Sequence, residues 1–542
     1  MYFEQPDAAG HNAGPNSDAV DSALIYVDAM INYLAHRLDQ KGYLGCINMV
    51  ILSDHGMQKL KKSQFIAIEE FININDSNVE VFGGAIGNIH FPNKTGLNLA
   101  SKMEKFARRE GHKFRAYTKE TMPKRYHYAN NRRIGDIIID AVGGTEIFKT
   151  YSELNASTME GDHGFDNRLP SMRAIFGAYG PSVKENFTIP PFQNIELYNL
   201  FTDLMGLTNF APNNGTRGLL NSILRKPKDY EETSLKELPD CIDMSEPSKI
   251  LTKCGDGCQF EIPVDGDENI KCHKSGPVHV PERIENIDSL CVIRLCNATM
   301  IYNKDLDHPL LVESLLSTPI KNIDHRANCS VHLNIGMDLS GNETTTPTDC
   351  SSYQAKFNNG FNSTWITYFS DHEYLRFISQ SQIQVTPGFF NGAWKELLQT
   401  IEKYQKHYKN LLLYSGPIYD TNFDGLADSP EMLMNMTQKK PTHFYIILIR
   451  CRGQWDESYG HCQNPEDTRT LAFVLPNISD DFNNLIPFEY LFRNTARIRD
   501  IEILTGLELF TNRDIYPPET ALRLRTHVNQ RLWQLEVDKE IL

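Results

Sequence analysis

Three short stretches carry side chains able to hold metal ions. Pro6-Asp7-Ala8-Ala9-Gly10-His11 sets a carboxylate and an imidazole four residues apart, and Ser53-Asp54-His55-Gly56-Met57 sets them side by side. Gly161-Asp162-His163-Gly164-Phe165-Asp166-Asn167 repeats the adjacent pair. Each stretch holds glycine, where backbone can approach a ligand closely. Neither the first nor the third lies in an amphipathic pattern, so packing does not account for their histidines. Asp7, His11, Asp54, His55 and His163 are oxygen and nitrogen donors with no cysteine among them, a set that suits zinc. A pair of open zinc sites suits phosphoryl transfer, where two metals clamp the attacking and leaving oxygens. Asp162 reads as a residue orienting a ligand from behind, or alternatively as the third stretch's ligand itself. The plainer alternative for the middle stretch is that Asp54 caps a turn and His55 is an ordinary loop residue.

A different chemistry sits at Asp420-Thr421-Asn422-Phe423-Asp424-Gly425-Leu426-Ala427-Asp428-Ser429-Pro430-Glu431. Asp420, Asn422, Asp424, Asp428 and Glu431 fall at positions one, three, five, nine and twelve of a calcium loop, with glycine at six. Leu426 would offer its backbone carbonyl. The alternative is a polar, Asx-rich turn. Leu411–Tyr414 reads as a strand, so this is a lone calcium loop and not a paired EF-hand, and its work is to rigidify its domain. Cys254-X-X-X-Cys258 is half of a zinc ribbon at most, because no second pair follows at ribbon spacing.

These groups need elements to position them. Met49-Val50-Ile51-Leu52 reads as a strand buried on both faces, as in a parallel sheet, and ligands sit outside the carboxyl ends of such strands. Val20, Leu24, Val27, Ile31, Leu34 and Leu38 predict an amphipathic helix from Ser17 to Leu38, capped by Ser17 or Asp18. Residues 65–92 read as strands with tight turns, and Ile137–Ile139 as a strand. Tyr126–Arg133 before it reads as a loop packing on the sheet, and Asn194–Leu207 as a closing helix. Residues 226–285 are too sparse in apolar side chains for a core and hold Cys241, Cys254, Cys258 and Cys272, which makes them a Cys-rich, disulfide-stapled linker. Apolar strands and helices resume at Ile287 and run to Leu535. The expected division is residues 1–225, 226–285 and 286–542.

The net charge of −15 over 542 residues argues against a nucleic-acid grip. No apolar run approaches the ~18 residues of a membrane helix. Ten of the 11 cysteines lie beyond residue 240, the clustering expected of disulfides in an oxidising compartment. Asn75, Asn93, Asn155, Asn186, Asn214, Asn297, Asn328, Asn342, Asn362, Asn435 and Asn477 each begin an Asn-X-Ser/Thr acceptor. These features together point to a glycoprotein outside the cell.

The chain resembles the ectonucleotide pyrophosphatase/phosphodiesterase family of the alkaline-phosphatase-like superfamily. The resemblance rests on Tyr2-Phe3-Glu4-Gln5-Pro6-Asp7, Gly10–Pro15, Ser53–Met57 and Gly161–Asn167. It continues through Phe176–Pro181, Asn194–Asn199 and Ala211–Thr216, and more weakly to about Thr526. It implies an α/β fold: a mostly parallel-sheet phosphodiesterase domain, incomplete here, followed by an α+β nuclease-like domain. Asp7, His11 and His163 then match one zinc site, and Asp54 and His55 match part of the other. Tyr2 matches an aromatic that stacks on the substrate's base. The implied activity is hydrolysis of nucleotide pyrophosphate and phosphodiester bonds to nucleoside 5'-monophosphates, by a secreted or cell-surface monomer using two zinc ions, with calcium expected from the loop spacing alone. Hydrolysis of lysophospholipid, or binding without catalysis, are the alternatives.

Departures from the family pattern matter here. The threonine nucleophile, an aspartate completing the second zinc site and a phosphate-holding asparagine all lie upstream of Asp7 in the family. Five ligands cannot give two zincs three protein ligands each. The chain thus reads as a family member lacking its N-terminal part, any membrane anchor included, and inactive alone. The nuclease-like domain has no Asp-Arg-Gly-His segment and reads as non-catalytic. Relatives carry a cysteine after the stretch matching Leu475-Pro476; none stands there in this chain, which leaves Cys46 as the unpaired thiol.

Overall fold

The computed structural model describes residues 1–75, 79–91, 97–109, 113–227, 234–241, 251–254, 278–295, 298–316, 330–333, 362–365, 378, 381–408, 410–435, 440–456, 460–479 and 487–534. Two compact units divide the chain. The first comprises Met1–Met122 and Tyr128–Tyr230, and the second comprises Pro123–His127 and Glu231–Leu542.

The first unit begins with α1 (Asp7–Ala13) and α2 (Asp18–Gln40). Ser17 caps α2, its hydroxyl accepting the Val20 N–H at 3.3 Å, as its position before the apolar stripe predicts. Of that stripe only Val20 is buried; Leu24 is exposed and the rest are half-buried. β1 (Met49–Leu52) corrects the expectation of a strand buried on both faces. It pairs antiparallel with β10 (Phe176–Tyr179) in a two-stranded sheet, with Met49, Val50 and Ile51 half-buried and Leu52 exposed.

The sheet expected to be mostly parallel is antiparallel throughout. Its order is β4 (Glu80–Phe82), β5 (Ile86–His90), β7 (Ile137–Ala141), β6 (Phe114–Tyr117). The reason is the connection between β4 and β5. Three residues, Gly83, Gly84 and Ala85, return the chain at once, whereas a parallel neighbour needs a crossover of a dozen residues or more. In this unit the one parallel pairing among the described strands joins β3 (Ile66–Ala67) to β8 (Ile147–Phe148). Ile137 and Ile139 of β7 enter a core with Ile89, Phe114, and Met103 of α3 (Leu97–Arg109). After a 3-10 turn at Asn194–Glu196, the helix Leu197–Met205 closes the unit where a helix is expected, ending at Gly206 in the left-handed conformation.

The second unit is built on a seven-stranded antiparallel sheet. Its order is Leu290–Leu295, Ala298–Asn303, His308–Leu316, Leu411–Ile418, His443–Cys451, Thr468–Pro476, Thr495–Ala496. The fifth strand reads Phe444-Tyr445-Ile446-Ile447-Leu448-Ile449 without alternation because both faces are covered. Phe444, Ile446 and Leu448 pack with Phe389 and Trp394, while Tyr445, Ile447 and Ile449 pack with Ile498, Ile501 and Leu504.

Most of residues 226–285 lie outside the described residues, Cys258 and Cys272 among them. In the described part, Leu235–Glu237 pairs with His279–Pro281, and a Cys241–Cys291 disulfide fastens the stretch to the sheet's first strand. A second disulfide joins Cys451 to Cys462, and Cys46 is free and exposed. Tyr126–Arg133 is not one loop on one sheet, because its first two residues cluster with the second unit. Of the glycosylation acceptors, Asn75, Asn155, Asn186, Asn214 and Asn435 are exposed, whereas Asn477 is 3% exposed. Asn93, Asn297, Asn328 and Asn342 lie outside the described residues, and Asn362 stands in the strand Asn362–Trp365.

Candidate metal centre

Asp7 and His11 stand one turn apart on α1, so both project from one face. α1 is brought against β9 (Gly161–Asp162), which pairs with β2 (Gln58–Lys59) and hands the chain on to His163. Gly161 makes the approach possible: a Cβ there would lie 2.4 Å from the Gly10 carbonyl oxygen. β1 ends just before Ser53-Asp54-His55-Gly56, and a Cβ on Gly56 would lie 2.0 Å from the Ser171 carbonyl oxygen. The stretches written apart in sequence thus meet.

One carboxyl oxygen, one ring nitrogen of His11 and one of His163 lie within 4.8 Å of one another in the group Asp7, His11, His163. His11 Nε2 is 3.5 Å from Asp7 Oδ2, and His163 Nε2 is 3.9 Å from Asp7 Oδ1. His55 stacks on His163 with ring centroids 3.4 Å apart, and its Nε2 is 3.9 Å from Asp7 Oδ1 and 3.6 Å from Asp54 Oδ2. Asp54 is largely exposed, and its backbone carbonyl accepts the Asn194 side-chain N–H at 2.8 Å.

The tautomers follow from backbone carbonyls. His11 Nδ1 lies 2.9 Å from Gly161 O, and His55 Nδ1 lies 2.9 Å from Gly56 O. A carbonyl only accepts, so each Nδ1 carries the proton and each Nε2 is left for a cation. Burial, and then the neighbouring His55, lower the pKa of His163 and favour the neutral ring that coordinates metal. Asp7 Oδ1 is buried and accepts no hydrogen bond. A buried carboxylate oxygen with no donor needs a partner, and a cation held by Asp7 and the histidines is one. The residues present fit a metal.

Asp162 stands where an orienting residue should, its Oδ1 3.6 Å from His11 Nδ1. Behind it is a group that sequence reading passes over. Burial and the Asp162 carboxylate push the Glu146 carboxyl up to about 9, so it stays protonated at neutral pH and hydrogen-bonds to Asp162. Glu146 stands in no pattern that marks it, and Asn194 opens a stretch that carries the family resemblance without its contact to Asp54 being legible. Tyr2 is 86% exposed. Ser53, the hydroxyl nearest the second stretch in sequence, accepts the Ile175 N–H at 3.0 Å.

The calcium-type loop lies in the second unit. Phe423 and Gly425 take positive φ, so the chain turns tightly. Asp424 Oδ1 accepts the Leu426 N–H at 2.8 Å, Asn422 Oδ1 accepts the Asp424 N–H at 3.0 Å, and the Asn422 amide donates to Asp424 Oδ2. Asp428 accepts the Thr421 N–H and hydroxyl. Asp420 is fully buried and pairs with Lys124, a residue of the Pro123–His127 segment. Leu426 is exposed, as is Glu431 in the first turn of the short helix Pro430–Met434.

All five residues gathered at the first site lie in residues 1–166, and those residues match the model of the type I phosphodiesterase / nucleotide pyrophosphatase family. That family is named for phosphodiester and nucleotide pyrophosphate chemistry. Over 564 residues the chain is 28% identical to a venom phosphodiesterase of Macrovipera lebetinus, covering 97% of this chain and 64% of that protein. It is 28% identical over 568 residues to ectonucleotide pyrophosphatase/phosphodiesterase family member 1 of Homo sapiens, covering 97% and 59%. An ectonucleotide pyrophosphatase/phosphodiesterase of Caenorhabditis elegans is 28% identical over 549 residues, covering 98% and 68%. The chain is thus similar to ectonucleotide pyrophosphatase/phosphodiesterases over nearly all of its length. It spans between 59% and 68% of the length of these relatives.

Proposed function

We propose that the whole protein hydrolyses nucleotide pyrophosphate and phosphodiester bonds outside the cell, releasing nucleoside 5'-monophosphates, with two zinc ions at this centre. The observation that carries the reading is the convergence of Asp7, His11 and His163 around a buried carboxylate oxygen that accepts no hydrogen bond. Zinc bound there supplies charge stabilisation to phosphoryl oxygens and lowers the pKa of a coordinated hydroxyl or water. Asp7, His11 and His163 hold one ion, and Asp54 and His55 contribute to the other. The Gly161 and Gly56 carbonyls keep the imidazoles in the coordinating tautomer, and the Asn194 amide anchors the backbone that presents Asp54. Tyr2 is the aromatic proposed to stack on the base. The second unit is proposed to be a non-catalytic, nuclease-like domain rigidified by calcium at Asp420, Asn422, Asp424, Leu426 and Asp428.

The test compares ATP with lysophosphatidylcholine as substrates of the whole protein, with and without His163→Ala. Turnover of ATP that exceeds turnover of the lipid and disappears with His163 is the expected result. Preference for the lipid would replace the substrate class, and undiminished turnover by the variant would place the chemistry elsewhere.

A further inference from the structure

Residues 211–216 fold back onto the turn Asn194–Glu196 and the start of the helix that follows it. The Tyr198 hydroxyl accepts the Ala211 N–H at 2.9 Å, and the side-chain amides of Asn199 and Asn213 bond to each other in both directions at 3.1 Å. Glu196 Oε2 accepts the Thr216 N–H at 2.6 Å. Glu196 and Asn199 are buried, so losing a loop partner leaves a desolvated group behind. Between these ties the loop comes in backbone first: a Cβ on Gly215 would lie 2.6 Å from the Ile195 carbonyl oxygen. The turn held in this way opens with Asn194, whose amide reaches back 140 residues to donate to the Asp54 carbonyl at 2.8 Å. That carbonyl belongs to the same peptide as the His55 N–H, which donates to Asp54 Oδ1 at 3.1 Å. The Asp54 side chain is 75% exposed, so fixing this peptide is what fixes its carboxylate. The backbone on either side is anchored, with the Ser53 N–H on Ile175 O and the Gly56 N–H on Met172 O, each at 3.2 Å. A peptide between two such anchors can still rotate, and rotation would carry the His55 N–H away from the carboxylate. We propose that the loop 211–216 is a positioning device for the Asp54, His55 half of the metal centre, acting through Asn194 and its one hydrogen bond to the Asp54 carbonyl. The inference rests on the two-metal reading and adds to it: Asn199 and Asn213 set how well the second ion is held without being ligands themselves.

A device of this kind acts on one ion and through one bond. The experiment titrates the metal-free full chain with zinc by calorimetry and counts bound zinc by elemental analysis. A parallel cobalt(II) titration follows the visible absorption of the bound ion. The unaltered chain should take up two ions, His163→Ala losing the first and Asp54→Ala the second. Asn194→Ala should weaken the second by about 10- to 100-fold, the cost of losing an outer-shell partner, and leave the first unchanged. Asn194→Asp keeps the shape but has no N–H to give, and should do the same. Asn213→Ala changes an exposed loop residue and leaves the acceptor Asn214-Gly215-Thr216 intact. It too should weaken the second ion and spare the first. The double variant Asn194→Ala/Asn213→Ala should bind the second ion as Asn194→Ala does, because the two losses share one route. Circular dichroism of the metal-free proteins checks that each is folded. If Asn213→Ala holds both ions as the unaltered chain does, the loop positions nothing and the proposal is overturned. It is also overturned if Asn213→Ala weakens both ions alike, or if the two losses multiply in the double variant, since the loop then acts on the fold at large and not through Asn194. Failure of the underlying two-metal reading looks different: the unaltered chain and Asp54→Ala then take up the same number of ions with the same affinity, and the proposal falls with that reading.

Discussion

Two buried side chains show how much a residue's surroundings change its role. Asn477 begins an Asn-Ile-Ser acceptor, yet its Oδ1 accepts the Thr386 N–H at 2.9 Å and its amide donates to Pro441 O at 2.9 Å. Mass spectrometry of the protein expressed through a eukaryotic secretory pathway should find Asn477 bare, with glycans confined to exposed acceptors such as Asn155 or Asn186. Asn477→Ala should destabilise by about 1–3 kcal/mol in a denaturant titration, because the backbone groups it satisfies are left buried and unpaired. Asp500 is fully buried. Burial would raise its pKa, but the Arg497 guanidinium and the His127 ring outweigh that and hold it well below the usual carboxylate range. A carboxyl whose folded-state pKa is depressed adds stability above its unfolded value of about 3.9, and that stability is lost as pH falls towards the folded pKa. Arg497→Met should therefore cost about 3–5 kcal/mol at neutral pH, as breaking a buried pair does. The gap between variant and parent should narrow as pH falls below about 4. A gap that stays constant into acid would show that Arg497 acts through packing alone.

At the scale of elements, the calcium-type loop gives the sharper test. Asp420 is engaged by Lys124, so altering Asp420 would orphan a buried ammonium and confuse calcium with ion-pair loss. Asp424 is the cleaner probe, because its carboxylate bonds only within the loop among the contacts described. Calcium in millimolar excess over chelator should raise the melting temperature of the second unit, by mass action on the folded form. Asp424→Ala should abolish that shift, and no shift in the parent would remove calcium from the account. The same loop shows what the sequence made legible. Fixed local spacing carried the tight turn at Phe423 and Gly425, the Asp7/His11 pair and the Ser17 cap, since each depends on residues within one turn or one loop. Strand partners were not legible. Four apolar residues at Met49–Leu52 suit parallel or antiparallel pairing alike, and the direction is set by β10, more than a hundred residues away. Glu146 and Lys124 were missed for the same reason, each gaining its role from a distant partner, and Asn194 was noted for its stretch but not for its contact with the Asp54 carbonyl.

At the scale of the whole molecule, cysteine placement divides the chain into two redox regimes. Residues 1–230 contain Cys46 alone, which is free and exposed, while the other ten cysteines lie from residue 241 onward. The proposed metal ligands include no thiolate. Cys241–Cys291 closes 50 residues, a loop whose constraint on the unfolded chain corresponds to about 4 kcal/mol, and Cys451–Cys462 closes 11. Replacing Cys241 and Cys291 together by serine should therefore lower the melting temperature of the second unit by roughly 10 °C. Zinc stoichiometry and affinity at Asp7, His11 and His163 should not change, because the double variant leaves every residue around them in place. Calorimetric scans with elemental analysis of bound zinc read both quantities on the full chain. Mild reduction of the unaltered protein should give the same asymmetry, with the second unit's transition falling and zinc retained. A fall in zinc affinity that tracks loss of the disulfide would mean that the metal centre depends on the second unit for its shape.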